Sequence, residues 1–196
     1  MVILIIDQEW ARRYNREHNI GNGSGAKMMI REATISDTAG IAKVHVDCWR
    51  TTYKNIIPAE VLEQLSYEQR TELWKSNISS EDDHQVYVFE NEKGEIIGFV
   101  SGGPEKSGEY PPYEGEVTAI YVLKEYHSLG LGKQLFMRLL QHLSSMNIHS
   151  AIVWVLADNP ARYFYEQLGA KLVVEQHLIK MGDKNLNMVA YGWENK

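Results

Sequence analysis

The residues best suited to chemistry are His127-Ser128-Leu129-Gly130-Leu131-Gly132-Lys133, which follow a strand-like run, Glu116 to Val122, and open a helix of apolar periodicity. Two glycines without Cβ atoms let backbone N–H groups close on an anion, and the helix start adds unsatisfied donors and the positive end of its dipole. The segment reads as a pyrophosphate cradle, although an ordinary glycine-rich turn from strand to helix shares its spelling. Two other phosphate loops are excluded. A Walker A loop would place a Gly five positions before Gly132 and Ser or Thr after Lys133, where the chain has Gln134. A dinucleotide fingerprint would need a third Gly at the position of Leu135.

A second segment, Asp158-Asn159-Pro160-Ala161-Arg162-Tyr163-Phe164-Tyr165-Glu166-Gln167-Leu168-Gly169-Ala170, begins where the apolar run Ala151 to Leu156 ends. Asn159 suits an N-cap, Pro160 the first helical position and Gly169 the C-terminal stop. Ala161, Phe164, Tyr165 and Leu168 share one face by spacing, so Tyr165 points inward with a hydroxyl that needs a partner. The other reading is a packed structural tyrosine.

Together these features resemble the GCN5-related N-acetyltransferase superfamily, whose acyl-CoA signature is Gln/Arg-x-x-Gly-x-Gly/Ala after the fourth strand. His127 stands at its first position; the loop binds phosphate mainly through backbone N–H groups, and a His ring can also donate. The later family segment, Asn-x-x-Ala-x-x-Phe-Tyr-x-x-x-Gly, is matched in part. Asn159 to Ala161 is one residue tighter, while Phe164-Tyr165 and Leu168-Gly169 fall as the pattern expects. The resemblance covers about residues 28–193 and is most specific over 116–169.

The resemblance implies an α/β (α+β) fold, the acyl-CoA N-acyltransferase fold, with a mixed central sheet of six to seven strands flanked by helices. It implies acetyl-CoA as cofactor, with the strands 116–122 and 151–156 splayed around the pantetheine arm. Main-chain groups of Ile120, Tyr121 and Val122 would then hold the arm, the loop His127, Ser128, Leu129, Gly130, Leu131, Gly132 and Lys133 the pyrophosphate, and Asn159 would join the cofactor site. The implied reaction is direct attack of a neutral amine on the thioester, with a backbone N–H near Val122 facing the developing oxyanion. Tyr165 is the candidate general acid, since an ordinary tyrosine stays protonated at neutral pH. Glu116, at the start of the fourth strand, is the candidate base, the alternative being a solvated strand-end charge. Trp49, Tyr53, Tyr110 and Tyr113 are candidate acceptor-lining groups, with helix packing the alternative for the first two. The acceptor would be a small-molecule or peptide amine. A non-catalytic CoA-binding sensor is the second functional reading.

The elements that must position these residues are legible from Ile30 onward. Met29 to Ala33 reads as a first strand. Ser36 or Asp37 can cap a helix with Ile41, Val44, His45, Cys48, Trp49 and Thr52 on one face. A second helical region runs from about Pro58 to Leu65, and a shorter third covers Tyr67 to Trp74. Val86–Glu90 and Glu95–Gly102 form a hairpin around Asn91-Glu92-Lys93-Gly94. The helix after Gly130 is expected to bury Leu131, Leu135, Leu139, Leu143 and Met146. Ala151–Leu156 is apolar enough to be covered on both faces. Lys171–Lys180 and Asn185–Trp193 make a final hairpin, whose exposed edge could support a homodimer as readily as a monomer.

A chain of 196 residues with 44% apolar content suits one domain, expected over 28–196. Residues 1–27, ending in the joint Gly21-Asn22-Gly23-Ser24-Gly25, are expected to be an extension outside it. A net charge of −6, a pI near 5.7 and the absence of a Lys/Arg cluster argue against nucleic acid as a partner. Cys48 is the single cysteine, so no intrachain disulfide can form, which suits a reducing cytoplasm. The run Val2 to Ile6 is too short for a membrane span or a signal peptide, and no membrane association is expected. His45 reads as a core or lining residue, and His84, His142, His149 and His177 lack metal-ligand spacing, so no metal is expected.

Overall fold

The computed structural model describes residues 28–80 and 82–194. The expected extension at 1–27 lies outside the described residues. Seven strands form one sheet in the order β1-β2-β3-β4-β5-β7-β6, with β1 Met29–Glu32, β2 Gln85–Glu90, β3 Ile96–Pro104, β4 Gly115–Val122, β5 Ser150–Leu156, β6 Lys171–Met181 and β7 Lys184–Glu194. Every pair is antiparallel except β4 with β5.

Helices cover both faces, as expected for a mixed sheet of seven strands. One face carries α1 (Thr38–Thr52), α2 (Ala59–Glu63) and α3 (Tyr67–Ser79). There Ile41, Val44, Cys48 and Trp74 pack on Val86, Val88 and Phe99. The opposite face carries α4 (Leu131–Ser145) and α5 (Ala161–Gln167). On it Leu135, Phe136, Leu139 and Leu143 meet Tyr87, Val100, Val117 and Val153. The i, i+4 spacing of the α4 leucines selects that face; each fully buried leucine would cost roughly 2–5 kcal/mol if cut back to alanine.

Several boundaries differ from expectation for local reasons. Neither Ser36 nor Asp37 caps α1 through its side chain. A 3-10 turn, Ile35–Asp37, comes first, and the Asp37 carboxylate turns back to accept from the Thr34 N–H (2.7 Å) and from Arg31 (2.7 and 2.8 Å). Thr52 is exposed at the end of α1, and Met146 is only half-buried where α4 closes. The third helix is the long one, because Ser66 accepts from the Gln69 N–H and the chain then runs on to Ser79. The α5 helix starts one residue later than expected, with Pro160 at its N-cap.

Two features shape the site. The β4–β5 ladder joins only Gly115 to Ala151, Glu116 to Ile152 and Val117 to Val153, and beyond that the strands part. A bulge on β4, where Val117 pairs with Gly102 but Ala119 with Ser101, falls at Thr118, next to the apex of that gap.

Candidate active site

The gap between β4 and β5 is edged by free backbone on one side. Leu123 donates its N–H to Ile97, so by the alternation of an antiparallel ladder Tyr121 also turns its main chain toward β3. Ile120 and Val122 turn theirs toward the gap. This separates the three residues grouped by the sequence: the main chain of Tyr121 is used within the sheet, and its side chain lies on the α1 face. The Val122 carbonyl accepts from His127 Nε2 (2.9 Å) and from Cys48 Sγ (3.4 Å), leaving its N–H. With Nε2 so engaged, any contact of the ring with a phosphate would have to come from Nδ1.

Below the gap the loop behaves as a helix-opening cradle. Ser128 (φ 64°) and Gly130 (φ 75°) take left-handed backbone, and Ser128, Leu129 and Gly130 are exposed. Leu131 turns its side chain into the core. No side chain caps α4, and its first turn carries no acid. A Cβ added to Gly132 would meet only the Phe164 ring, at 3.5 Å, so α5 lies against the cradle and brings the second sequence segment to the first.

Tyr165 is 5% exposed, packed edge-on to Phe164 and Trp193. Its hydroxyl makes no hydrogen bond to another described residue, and burial pushes its pKa above the ordinary tyrosine range. The next largest influence on it is Tyr53. Asn159 is 4% exposed and held within the protein: its Oδ1 accepts from the Ala161 N–H (2.9 Å) at the start of α5, and its Nδ2 donates one proton to Tyr53 Oη (3.3 Å). Asn159 therefore ties α5 to the end of α1.

On the α1 face lies a cavity of about 530 Å³. Trp49, Tyr53 and Tyr110 line it, as the sequence suggested, together with Tyr121, Trp154 and Glu116. Trp49 donates from Nε1 to Tyr121 Oη (2.9 Å), and Tyr110 stands edge-on to Trp154 at 5.2 Å. Tyr113 is elsewhere: its ring covers Gly192, where an added Cβ would collide with it, and it borders neither cavity. Glu116 is half-buried, and desolvation, helped by the charge of Glu105, raises its pKa above the usual carboxylate value. It also borders a second cavity of about 430 Å³, which extends along the same face under α1 and α3 past Thr118, His84 and His45.

Sequence reasoning missed Thr118, Trp154, His177 and the acids Glu105 and Glu109 as cavity-lining groups. Trp154 was concealed within an apolar strand. The bulge that sets Thr118 at the apex has no local spelling at all.

A mixed sheet with its one parallel pair splayed, over a glycine-opened helix and beside an aromatic cavity, is the architecture of an acyl-CoA N-acyltransferase. The sequence pattern of the acetyltransferase (GNAT) family matches residues 43–170, and the chain belongs to that family. It is 38% identical over 164 residues to the uncharacterized N-acetyltransferase YuaI of Bacillus subtilis strain 168, covering 84% of this chain and 91% of the relative. A shorter similarity, 37% over 82 residues, is to the mycothiol acetyltransferase of Paenarthrobacter aurescens strain TC1, covering 40% of this chain and 25% of that one. In fold it is similar to the PaiA N-acetyltransferase of Thermoplasma acidophilum in complex with coenzyme A, at 20% identity, TM-score 0.68, 85% of this chain and 99% of that one. YncA of Salmonella typhimurium, with its cofactor acetyl-CoA, gives TM-score 0.64 at 20% identity, over 87% and 95%. Among the described residues no helix is long and apolar enough to cross a membrane.

Proposed function

We propose that the protein transfers an acetyl group from acetyl-CoA to a primary amine by direct attack. The carrying observation is the gap that opens beyond Val117 and Val153 with the main chains of Ile120 and Val122 turned into it. The cradle supports the same cofactor. Its N-terminal donors have no side-chain cap, and among the described residues nothing occupies the space at Gly130 or fills that at Gly132 closely.

Bound there, acetyl-CoA supplies a thioester carbonyl open to attack and a thiolate able to leave. The gap runs from the cradle end of β4, near Val122, up to its apex at Val117. The Ile120 N–H is therefore the better-placed oxyanion donor, with Val122 further down the arm, and such a donor is typically worth about 2.7–4 kcal/mol. Glu116 takes the amine's proton at its carboxylate, its raised pKa making it a stronger base than an exposed Glu. Tyr165 keeps its hydroxyl proton because burial resists ionisation, and that proton is available to the departing sulfur. The aromatic walls of the larger cavity suit a protonated amine before it is deprotonated.

The test is titration with acetyl-CoA followed by thiol release against a panel of amines. Binding with amine-dependent release supports the transferase. Binding without release favours a CoA sensor, and absence of binding overturns both.

A further inference from the structure

The second cavity is bordered by a residue with a polar group that nothing among the described residues answers. His45, on the buried face of α1, accepts from Trp74 Nε1 at its Nδ1 (3.2 Å). An indole nitrogen can only donate, so Nδ1 carries no proton and the neutral ring holds its hydrogen on Nε2. That Nε2–H is buried and has no hydrogen-bond partner among the described residues. The residue is 7% exposed, and its ring is locked: Tyr121 stacks on it at 5.4 Å, and Trp49 and Trp74 flank it at 5.6 and 5.9 Å. A ring held on three sides cannot turn to find an acceptor, and burying an unanswered donor is costly enough to require an explanation. His45 also borders the cavity, whose wall it shares with Glu116 and Thr118.

The polar groups nearest the shared wall are engaged with one another. His84 Nε2 is paired with Thr118 Oγ1 (3.1 Å), and Thr118 Oγ1 with Ser101 Oγ (2.8 Å). Asp82 is neutralised by Lys106 (2.6 Å). Besides the more exposed Asn77, Ser80, Asp82 and Lys106, the cavity is bordered by one buried, unanswered donor, on His45, and by the carboxylate of Glu116, which it shares with the larger cavity. An anionic group beside Glu116 would be repelled, and a cation finds no acceptor at His45. A neutral oxygen fits.

We infer that the cavity beside His45 seats a carbonyl or hydroxyl oxygen of the acceptor, which is therefore a primary amine carrying a neutral oxygen on its arm, the amine at Glu116 and the oxygen on His45 Nε2–H. This rests on the transferase reading above. His45 stays uncharged in its site, with burial and the nearby Arg70 holding its pKa down to about 4, so it acts as a fixed donor across the physiological range.

The experiment compares, with acetyl-CoA, a series of ω-amino amides of two to five methylenes with n-alkylamines of matching length. At one length the amide is expected to exceed its alkylamine in kcat/KM by about tenfold, the worth of one buried hydrogen bond. In His45→Phe that ratio should fall to near one with acetyl-CoA affinity retained, and His45→Gln, which keeps a donor, should recover part of it. In parallel, the His45 Nε2–H resonance of the wild-type protein should shift on adding the preferred amide and stay fixed on adding the alkylamine. Equal rates for the two series, a ratio that survives in His45→Phe, or an unmoved resonance would mean that Nε2–H holds a buried water only, and would overturn the inference. If every amine is inert, the transferase reading fails, and the resonance alone decides whether the cavity binds the amide. It also decides if both variants fail to fold.

Discussion

The two halves of the site are built in opposite ways. The half proposed to hold the cofactor, from Ile120 to Gly132, is one continuous stretch that offers main-chain N–H groups, left-handed loop backbone and a helix start. The half proposed to hold the acceptor collects side chains from α1, α3, the β3–β4 loop, β4, β5 and β6, including Trp49, Glu116, Trp154 and His45. A cofactor common to many proteins can be held by backbone that any suitable sequence supplies. Discrimination among amines needs side chains, and these come from wherever the fold brings them.

The contrast can be broken first at Tyr165, which belongs to the cofactor half by position and faces Tyr53 of the acceptor half electrostatically. Tyr165→Phe should lower kcat by about 10²-fold or more, with the acetyl-CoA dissociation constant little changed, as read by steady-state kinetics and calorimetry. An unaltered kcat would make the residue purely structural.

Glycines give the next largest effect. Gly132→Val should weaken acetyl-CoA binding by about tenfold or more while thermal stability changes little, since only the edge of Phe164 lies near an added Cβ. Gly102→Ala should do the reverse. Its Cβ would collide with the Glu116 carbonyl and lie 2.7 Å from Leu139 Cδ2, costing roughly 1–3 kcal/mol of stability in chemical denaturation.

Glu116 sharpens the comparison through pH. Because its pKa is raised, the acid limb of kcat/KM should lie above that of an ordinary Glu, and Glu116→Gln should remove the limb and lower kcat/KM by roughly tenfold. Glu105→Gln, by deleting the neighbouring charge, should move the limb to lower pH.

The smallest effect concerns stability. His45 stays neutral in the fold down to about pH 4, whereas the unfolded chain protonates it near its ordinary 6.5. Its contribution is complete above pH 6.5 and is lost as the pH falls through that window, because the unfolded state binds the proton. Urea unfolding should show about 1–2 kcal/mol less loss between pH 7 and pH 5 in His45→Gln than in the wild type.

The legibility of the sequence follows the same division. The α4 helix was readable because its leucines repeat at helical spacing, and the Asn91–Gly94 turn because Asn91 Oδ1 accepts from the Lys93 and Glu95 N–H groups within five residues. Asn159 was read as the cap of α5, and its Oδ1 does accept from the Ala161 N–H there although the cap position falls to Pro160; its Nδ2 bond to Tyr53 joins residues 106 positions apart, and no local pattern encodes that. Tyr113 and Tyr110 look alike in the sequence; only packing sends one onto Gly192 and the other to Trp154.

By itself, then, the sequence determined the order of strands and helices, the glycine-opened turn into α4 and the family to which the chain belongs, because each depends on contacts within a turn or two of chain and on residue types that local backbone demands. Only the tertiary structure decided that β4 and β5 part after three paired residues, that Glu116 sits between two cavities, and that His45 is left with an unanswered proton. Those depend on sheet register and side-chain packing between distant segments, where the free energy is a sum over many contacts and no short motif carries it.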